Sequence, residues 1–158
     1  MIEITQVHAS NHIQKIKELD DHLFKIYQQI SLRELEIIAQ QNGLFAIFHH
    51  KQIIAFAELL FESTDFYSLE NPQWAFIYGL GVAPSHRNKG LATQMLSFIE
   101  KIAVQKNKTA LYLATRPDNK EAILLWKKRG FNIYDYKENF FGSTEQKDGR
   151  LLFIKELF

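Results

Sequence analysis

A short glycine-containing segment at the start of a predicted helix has the residue types that bind phosphate. The segment Arg87–Ala92 follows an apolar run that ends at Val82. The first turn of a helix presents unpaired backbone N–H groups and a partial positive charge, so it attracts anions. Gly90 leaves room for close approach, while Arg87 and Lys89 add positive charge where the helix dipole alone disfavours it. We predict an anion site here; the alternative is an ordinary strand–turn–helix connection with two solvated bases.

The apolar periodicity of the chain predicts the elements that must position this segment. Residues 2–7 alternate as in a short strand, and residues 11–26 show helical spacing. Ser31 with Glu34 three residues later predicts the start of a second helix. Strands are predicted at 44–48, 52–61, 74–82, 109–115, 131–136 and 150–157, and helices at 88–106 and 119–129. The fold class is therefore α/β with a mixed sheet, in the order β-α-α-β-β-β-α-β-α-β-β, with helices on both faces.

Composition bounds the possible functions. The 158 residues are 46% hydrophobic and 23% charged, as expected for one globular domain over residues 1–158. A net charge of +1 argues against a nucleic-acid partner. The chain has no cysteine, and its six histidines lack the spacing of metal ligands, so we expect no metal. Without a signal-like N-terminus or a membrane-length apolar stretch, we expect a cytoplasmic protein with no membrane partner.

Two blocks of the sequence resemble motifs of the general N-acetyltransferase (GNAT) superfamily. Val82-x-Pro-x-x-Arg-x-x-Gly-x-Ala92 is similar to the family's acetyl-CoA signature at a strand-to-helix turn. Asn119-x-x-Ala-x-x-x-Trp126-x-Lys-x-Gly-Phe131 is similar to its downstream pattern. The two blocks together cover roughly residues 74–131. The resemblance implies a GNAT-like fold, N-acetyltransferase activity and acetyl-CoA as the cofactor.

The resemblance also implies how the cofactor would be held. In that family, the strand that corresponds to 76–82 splays from its neighbour, and the pantetheine arm lies between them. Gly79 and Gly81 fit a close approach or a bulge in such a strand. The cofactor would then be contacted by the backbone of this strand and by the turn that follows it. Further contacts would come from the helix that begins near Asn119 and from lysines at its outer end. The implied cofactor-binding residues are Leu80, Gly81, Val82, Arg87, Asn88, Lys89, Gly90, Leu91, Ala92, Thr93, Asn119, Trp126 and Lys128.

The residues that often act as acid and base in the family are replaced in this chain. Trp126 stands where a tyrosine donor is frequent, and an indole N–H is a poor general acid, so we expect it to pack against the cofactor or the core. Ala114 stands where protein N-terminal acetyltransferases often carry a base. Proton transfer must therefore come from elsewhere or proceed through water to an amine that arrives neutral.

The catalytic residues predicted from this search are Glu58 and Tyr78. Glu58 lies in an otherwise apolar run, where a carboxylate is costly unless it faces a polar cleft or a partner. The alternative for Glu58 is an edge-strand or salt-bridged position. Tyr78 lies in the middle of the strand that the resemblance splays. Tyr112, Tyr134 and Glu62 are further candidates.

The resemblance places the acceptor groove at about residues 22–31 and 134–149. Acidic residues of the first predicted helix, Glu18, Asp20 and Asp21, could attract a cationic amine, but a solvated position is favoured for each. The partner predicted is a small-molecule amine or a peptide, whose primary amine attacks the acetyl thioester directly in a ternary complex. The protein is predicted to be a monomer or a homodimer. The alternative function is a catalytically weak or inactive acyl-CoA-binding sensor or partner module. Aromatic residues that could line the groove, although a core position is favoured for most of them, are Phe24, Tyr27, Phe66, Tyr67, Phe140 and Phe141.

Overall fold

The computed structural model describes residues 2–24, 29–141 and 149–158, which contain seven strands and four α-helices. The predicted order of elements is confirmed. In chain order they are β1 (Ile4–Gln6), α1 (Ser10–Leu23), α2 (Leu32–Gln40), β2 (Leu44–His49), β3 (Gln52–Leu60), β4 (Trp74–Val82), α3 (Leu91–Gln105), β5 (Ala110–Thr115), α4 (Lys120–Lys128), β6 (Asn132–Lys137) and β7 (Arg150–Glu156).

The strands form one sheet in the order β1-β2-β3-β4-β5-β7-β6. Every neighbouring pair is antiparallel except β4 and β5, which are parallel and are joined through α3. A parallel pair needs such a crossover because the end of one strand and the start of the next lie on opposite edges of the sheet. Ile16 of α1 and Leu35 of α2 pack on one face of the sheet, whereas Met95 of α3 and Trp126 of α4 pack on the other. The prediction of helices on both faces is confirmed.

Two helix boundaries differ from the prediction by more than one residue. α3 begins at Leu91 rather than at Asn88, because Asn88 and Gly90 have φ angles of 62° and 77°. A left-handed backbone cannot continue a right-handed helix, so the segment before Leu91 is a turn. α1 ends at Leu23, and position 26 of the predicted helix lies outside the described residues.

The predicted N-cap of α2 at Ser31 is present, but the Glu34 side chain does not complete the capping box. The backbone N–H of Glu34 donates to Oγ of Ser31 at 3.1 Å, as an N-cap requires. The Glu34 carboxylate, however, accepts a hydrogen bond from Tyr78 of β4 instead of from the cap. One half of the capping box is therefore used for a contact with the sheet.

β4 is less buried than its apolar sequence predicts. Residues 75–77 are buried, but Tyr78, Gly79 and Leu80 are only partly buried. The nearly continuous apolar run of residues 74–82 predicts a strand buried on both faces. This prediction is wrong for the second half of β4, which faces the cavity described below. Among the described residues no helix is long and apolar enough to cross a membrane, and no His, Cys, Asp or Glu cluster could hold a metal ion.

Candidate functional site

The parallel strands β4 and β5 separate halfway along their length. Their pairing runs from Trp74 with Ala110 to Ile77 with Leu113 and then stops. β4 nevertheless continues to Val82 along β3, while β5 continues along β7. The splayed strand that the resemblance implied is confirmed, and it leaves a wedge-shaped gap inside the sheet.

A cavity of about 440 Å³ occupies this gap and reaches both faces of the sheet. On the face covered by α3 and α4 it is lined by Ala122 and Trp126. On the face covered by α1 and α2 it is lined by acidic and aromatic side chains. Two molecules that enter from opposite faces can therefore meet between the strands. The side chains of the second face that matter below are Asp20, Phe24, Glu34, Glu58, Phe66 and Tyr78.

A bulge in the neighbouring strand pair places the acidic residue at the gap. Glu58 of β3 pairs with Gly79, whereas Leu59 pairs with Ile77, so Tyr78 has no partner residue in β3. Bulges bend a strand and redirect its side chains. A Cβ at position 79 would overlap Oε1 of Glu58, so the glycine allows this carboxyl group to lie across β4. The predicted close approach at Gly79 is made by a side chain of the protein itself.

Glu58 is buried, with 1% of its surface exposed, and lines the cavity. Among the described residues its Oε2 is the one buried side-chain polar atom without a hydrogen-bond partner. Burial raises the pKa of the Glu58 carboxyl group well above its usual range, and the nearby carboxyl groups of Asp20 and Glu34 raise it further. This placement fits the predicted polar cleft rather than an edge or a surface ion pair.

Asp20 is a site residue that the sequence analysis assigned wrongly to solvent. It is 1% exposed and lines the cavity together with Glu58, and its Oδ1 accepts from the backbone N–H of Ile30 at 3.3 Å. Burial raises the pKa of Asp20 to about 6, although hydrogen bonding with Glu58 and Ile30 opposes the shift. The available signal was its position four residues after Ile16, on the same buried stripe of α1 as Ile13.

Tyr78 faces the same side of the cavity. Its hydroxyl group donates to Oε2 of Glu34 at 3.0 Å. Burial, followed by the Glu34 carboxylate, raises the pKa of Tyr78 above its usual range. The phenol therefore stays neutral and can donate a hydrogen bond, but it is not a base at neutral pH.

The further catalytic candidates lie away from the cavity. Tyr112 is fully buried in the core, where its hydroxyl oxygen accepts from the backbone N–H of Glu70 at 3.0 Å. Tyr134 donates to the carboxylate of Glu70 at 3.1 Å, and Glu62 is exposed. None of these three residues lines the cavity, whereas Glu58 and Tyr78 both do.

The aromatic residues predicted for the acceptor groove divide into two groups. Phe24, Phe66 and Phe141 line the cavity. Tyr67 stacks on Phe76 with ring centres 4.2 Å apart and belongs to the core beside Phe140. Tyr27 lies outside the described residues.

The backbone of β4 offers hydrogen-bonding groups to the gap. The N–H of Ala83 donates to the carbonyl of Ile54 in β3 at 2.8 Å. Because N–H groups alternate in direction along a strand, those of Val82 and Leu80 point away from β3 and towards the open edge. Arg87 lies at the same edge, where its Nε donates to the carbonyl of Val82 at 3.2 Å.

The turn before α3 has the geometry of an anion site. Gly90 is its N-cap in left-handed conformation and provides no side-chain cap, and the space that a Cβ would enter is open. The backbone N–H of Gln94 is the first to bond within the helix, to the carbonyl of Gly90 at 3.0 Å. The N–H groups of residues 91–93 precede that bond and are presented to the turn. Asn88 and Lys89 are exposed beside them.

The residues predicted on α4 are placed differently from one another. Asn119 caps the helix, with its Oδ1 accepting from the N–H of Ala122 at 3.2 Å, and it also lines the cavity. Trp126 is buried, and its indole N–H donates to Oγ1 of Thr115 at 2.8 Å, which fits the packing role expected. Lys128 is exposed at the far end of α4 and does not line the cavity, so its contact with a cofactor stays a prediction.

Comparison with known proteins gives a consistent assignment. A sequence model of a protein family, described as the acetyltransferase (GNAT) family, matches residues 7–131. The chain is 32% identical over 84 residues to the probable N-acetyltransferase san of Drosophila melanogaster, an alignment that covers 52% of this chain and 46% of that protein. It is 31% identical over 85 residues to N-alpha-acetyltransferase 50 of Danio rerio, which covers 52% of this chain and 50% of that protein. The chain spans about half the length of the curated relatives it matches.

The fold has a close counterpart among solved structures. Arabidopsis thaliana Naa50, solved in complex with the bisubstrate analogue CoA-Ac-MVNAL, superposes with a TM-score of 0.79 at 19% sequence identity. The superposition covers 98% of this chain and 97% of that chain. At this identity the likeness establishes the fold alone.

Proposed function

The chain belongs to the acetyltransferase (GNAT) family, and from that premise we propose that it transfers the acetyl group of acetyl-CoA to a primary amine. The main support for this proposal is the cavity between the splayed strands β4 and β5, because this cavity connects two faces of the sheet that carry different chemical groups. One face offers backbone N–H groups and a helix start, and the other is lined by the buried carboxyl group of Glu58. A thioester and an amine that enter from these two faces meet in the gap.

The residues on the α3 face fit acetyl-CoA. The open space in front of Gly90 and the N–H groups of residues 91–93 suit a diphosphate, which carries negative charge and many acceptor oxygens. The edge of β4 at Leu80 and Val82 suits the amide groups of the pantetheine arm, and an N–H there can donate to the thioester oxygen as charge develops on it. Acetyl-CoA supplies an acyl group activated by a thiol leaving group.

Further residues proposed to contact the coenzyme follow from the same placement. Lys89 and Arg87 add positive charge beside the turn. Asn119 and Trp126 line the cavity from α4, where Trp126 is held by its hydrogen bond to Thr115. The full set for this role is Leu80, Gly81, Val82, Arg87, Asn88, Lys89, Gly90, Leu91, Ala92, Thr93, Asn119, Trp126 and Lys128.

The chemistry on the other face begins with a proton. A primary amine of lysine type has a pKa near ~10.4 and an α-amine near ~7.8, so the acceptor arrives largely as an ammonium ion and must lose a proton before it attacks. The carboxyl group of Glu58 lines this side of the cavity and is proposed to take that proton. Tyr78, held neutral and oriented by Glu34, serves as a hydrogen-bond donor in the same pocket.

The acceptor is a small-molecule amine or the N-terminus of a peptide. The name of the Danio rerio relative, an N-alpha-acetyltransferase, and the bisubstrate analogue CoA-Ac-MVNAL bound to Arabidopsis Naa50 support the peptide. The apolar wall of Phe24, Phe66 and Phe141 suits an acceptor with an apolar body next to its amine.

Thiol release from acetyl-CoA over a panel of small amines and peptides tests the proposal. The panel includes the peptide Met-Val-Asn-Ala-Leu and simple alkyl and aromatic amines, and CoA binding is measured by calorimetry on the same protein. We expect saturable CoA binding and amine-dependent thiol release. CoA binding without release on any amine would support the sensor module instead, and no CoA binding would overturn both.

A further inference from the structure

We propose that Tyr112 is a positioning residue for the acceptor, because its hydroxyl group holds the loop of residues 61–73 and thereby places Phe66 as a preformed apolar wall of the cavity. This inference rests on the proposed function, since it concerns the amine side of the same site. It predicts that a hydroxyl group outside the cavity sets the preference for amines that carry an apolar group near the nitrogen.

The loop of residues 61–73 joins β3 to β4 and contains no helix or strand. Two adjacent residues of this loop have different surroundings. Phe66 lines the cavity, where its ring centre lies 5.7 Å from that of Tyr78. Tyr67 is 9% exposed and stacks on Phe76 of β4 in the core. Because the two residues are neighbours in the chain, a contact that fixes Tyr67 also restricts where Phe66 can lie.

The hydroxyl group of Tyr112 is a buried polar anchor for the middle of the loop. Tyr112 belongs to β5 and is fully buried, and its oxygen accepts from the backbone N–H of Glu70 at 3.0 Å. The same oxygen forms a hydrogen bond of 2.9 Å with the hydroxyl oxygen of Tyr67. One atom of the sheet therefore binds two points of the loop. Without it, the backbone N–H and the Tyr67 hydroxyl group both lose this partner, which costs more than the net gain from an average hydrogen bond.

Other contacts hold the two ends of the loop. Nζ of Lys108 donates to the carbonyl groups of Phe61 and Pro72, which lie near the first and the last residue of the loop. These contacts do not involve Tyr112. We therefore expect loss of the Tyr112 hydroxyl group to loosen the middle of the loop while its ends stay attached to the sheet.

The position of Phe66 explains why a fixed loop favours an apolar acceptor. The planes of the Phe66 and Tyr78 rings meet at 80°, so the two rings form an apolar corner on the cavity wall. A ring that is already in place loses little conformational freedom when a ligand packs against it. A loosened Phe66 must be ordered during binding, which weakens the binding of an apolar group and leaves that of a small polar amine unchanged.

The test compares Tyr112→Phe, which keeps the ring and removes the hydroxyl group, with Phe98→Leu as a control for a general loss of stability. Phe98 of α3 packs against Phe45 on the other face of the sheet, with ring centres 5.3 Å apart, and does not line the cavity. Its truncation lowers stability through lost packing. The acceptors are phenethylamine, which has an apolar body, and ethanolamine, which lacks one.

We expect Tyr112→Phe to raise KM for phenethylamine about fivefold, with kcat and the CoA affinity unchanged within about twofold. KM for ethanolamine should stay the same in this variant, and Phe98→Leu should change neither KM. In a Phe66→Ala background, Tyr112→Phe should have no further effect on KM for phenethylamine. Equal losses for both amines, or a full effect without the Phe66 ring, would overturn the proposal.

A second measurement needs no turnover. In native-state hydrogen exchange, the amides of Tyr67 and Glu70 should exchange about tenfold faster in Tyr112→Phe than in the parent, relative to the amides shared between β2 and β3. Phe98→Leu should show no such selective increase. Unchanged exchange in the loop of Tyr112→Phe would overturn the proposal. If no amine is turned over, the proposed function fails, while this exchange still decides whether Tyr112 holds the loop.

Discussion

Gly79 of β4 lies directly opposite Glu58 of β3, and a single added carbon at position 79 would overlap the Glu58 carboxyl group. The glycine is therefore part of the site although it has no side chain. It lets a buried acid cross the strand and face the gap between β4 and β5. The relationship ties a backbone feature of the sheet to the one unpartnered buried carboxyl oxygen among the described residues.

The first prediction concerns this contact. Gly79→Ala should lower the free energy of unfolding by about 1–3 kcal/mol, because the Glu58 side chain must move from a packed position. In a Glu58→Ala background the same change should be neutral or slightly stabilising, since a strand glycine costs chain entropy. Urea denaturation of the four proteins of this cycle measures the coupling.

The matched control for that cycle is Gly81→Ala. A Cβ at position 81 would lie 2.7 Å from the Phe56 ring and 2.8 Å from Cδ1 of Leu23, so its cost should persist in the Glu58→Ala background. Equal costs for Gly79→Ala with and without the Glu58 carboxyl group would contradict the role given to Gly79.

A second prediction concerns stability and pH. The folded-state pKa of Glu58 is raised above its ordinary value of 4.5, so its contribution to stability is present below that value and is lost as pH rises through the folded pKa. Glu58→Gln removes this loss. Its melting temperature should exceed that of the parent at pH 8 by about 2–4 °C, with a smaller difference at about pH 4.5. Differential scanning calorimetry at the two pH values measures the two melting temperatures. A melting-temperature difference that grows towards low pH would contradict the raised pKa of Glu58.

A third prediction concerns the turn before α3. Gly90→Glu should weaken CoA binding by about 100-fold or more, because a carboxylate would stand where the diphosphate is proposed to lie. The fold should persist, since the added side chain meets open space. Gly130→Glu, at the other described glycine with a positive φ, serves as the control for backbone strain. Unchanged calorimetric affinity in Gly90→Glu would place the phosphates elsewhere.

A fourth prediction separates packing from catalysis at Trp126. Trp126→Phe removes the donor to Oγ1 of Thr115 and should cost about 1–3 kcal/mol of stability. Turnover should change by no more than about threefold, because the indole N–H is occupied by Thr115 and is a poor acid. A large loss of turnover with normal CoA affinity would show that Trp126 takes part in the chemistry.

The fold could be predicted well from the sequence because its signals are local. The apolar periods of the helices and the Ser31 cap determine element type and order, and the two motif blocks identify the turn at Gly90. The predicted start of α3 is three residues too early, since Asn88 gives no sign in the sequence of its positive φ.

The candidate site could be predicted only in part, because its acidic end is assembled from three distant elements. The cost of burying Glu58 within an apolar strand is visible in the sequence. The burial of Asp20 in the same cavity is not, since it depends on how α1 packs on the sheet, and Asp20 lies beside more exposed acidic residues in the sequence. The spacing of Ser31 and Glu34 predicts a capping box, which already accounts for a glutamate at position 34. The sequence therefore gives no reason to expect the hydrogen bond between Glu34 and Tyr78.

The most direct test of the central claim is a crystal structure of the protein with CoA bound. We predict that the diphosphate lies against the N–H groups of residues 91–93, that the pantetheine arm fills the gap between β4 and β5, and that the sulfur points towards the side of the cavity lined by Glu58. Coenzyme density on another surface, with this gap left empty, would contradict the account.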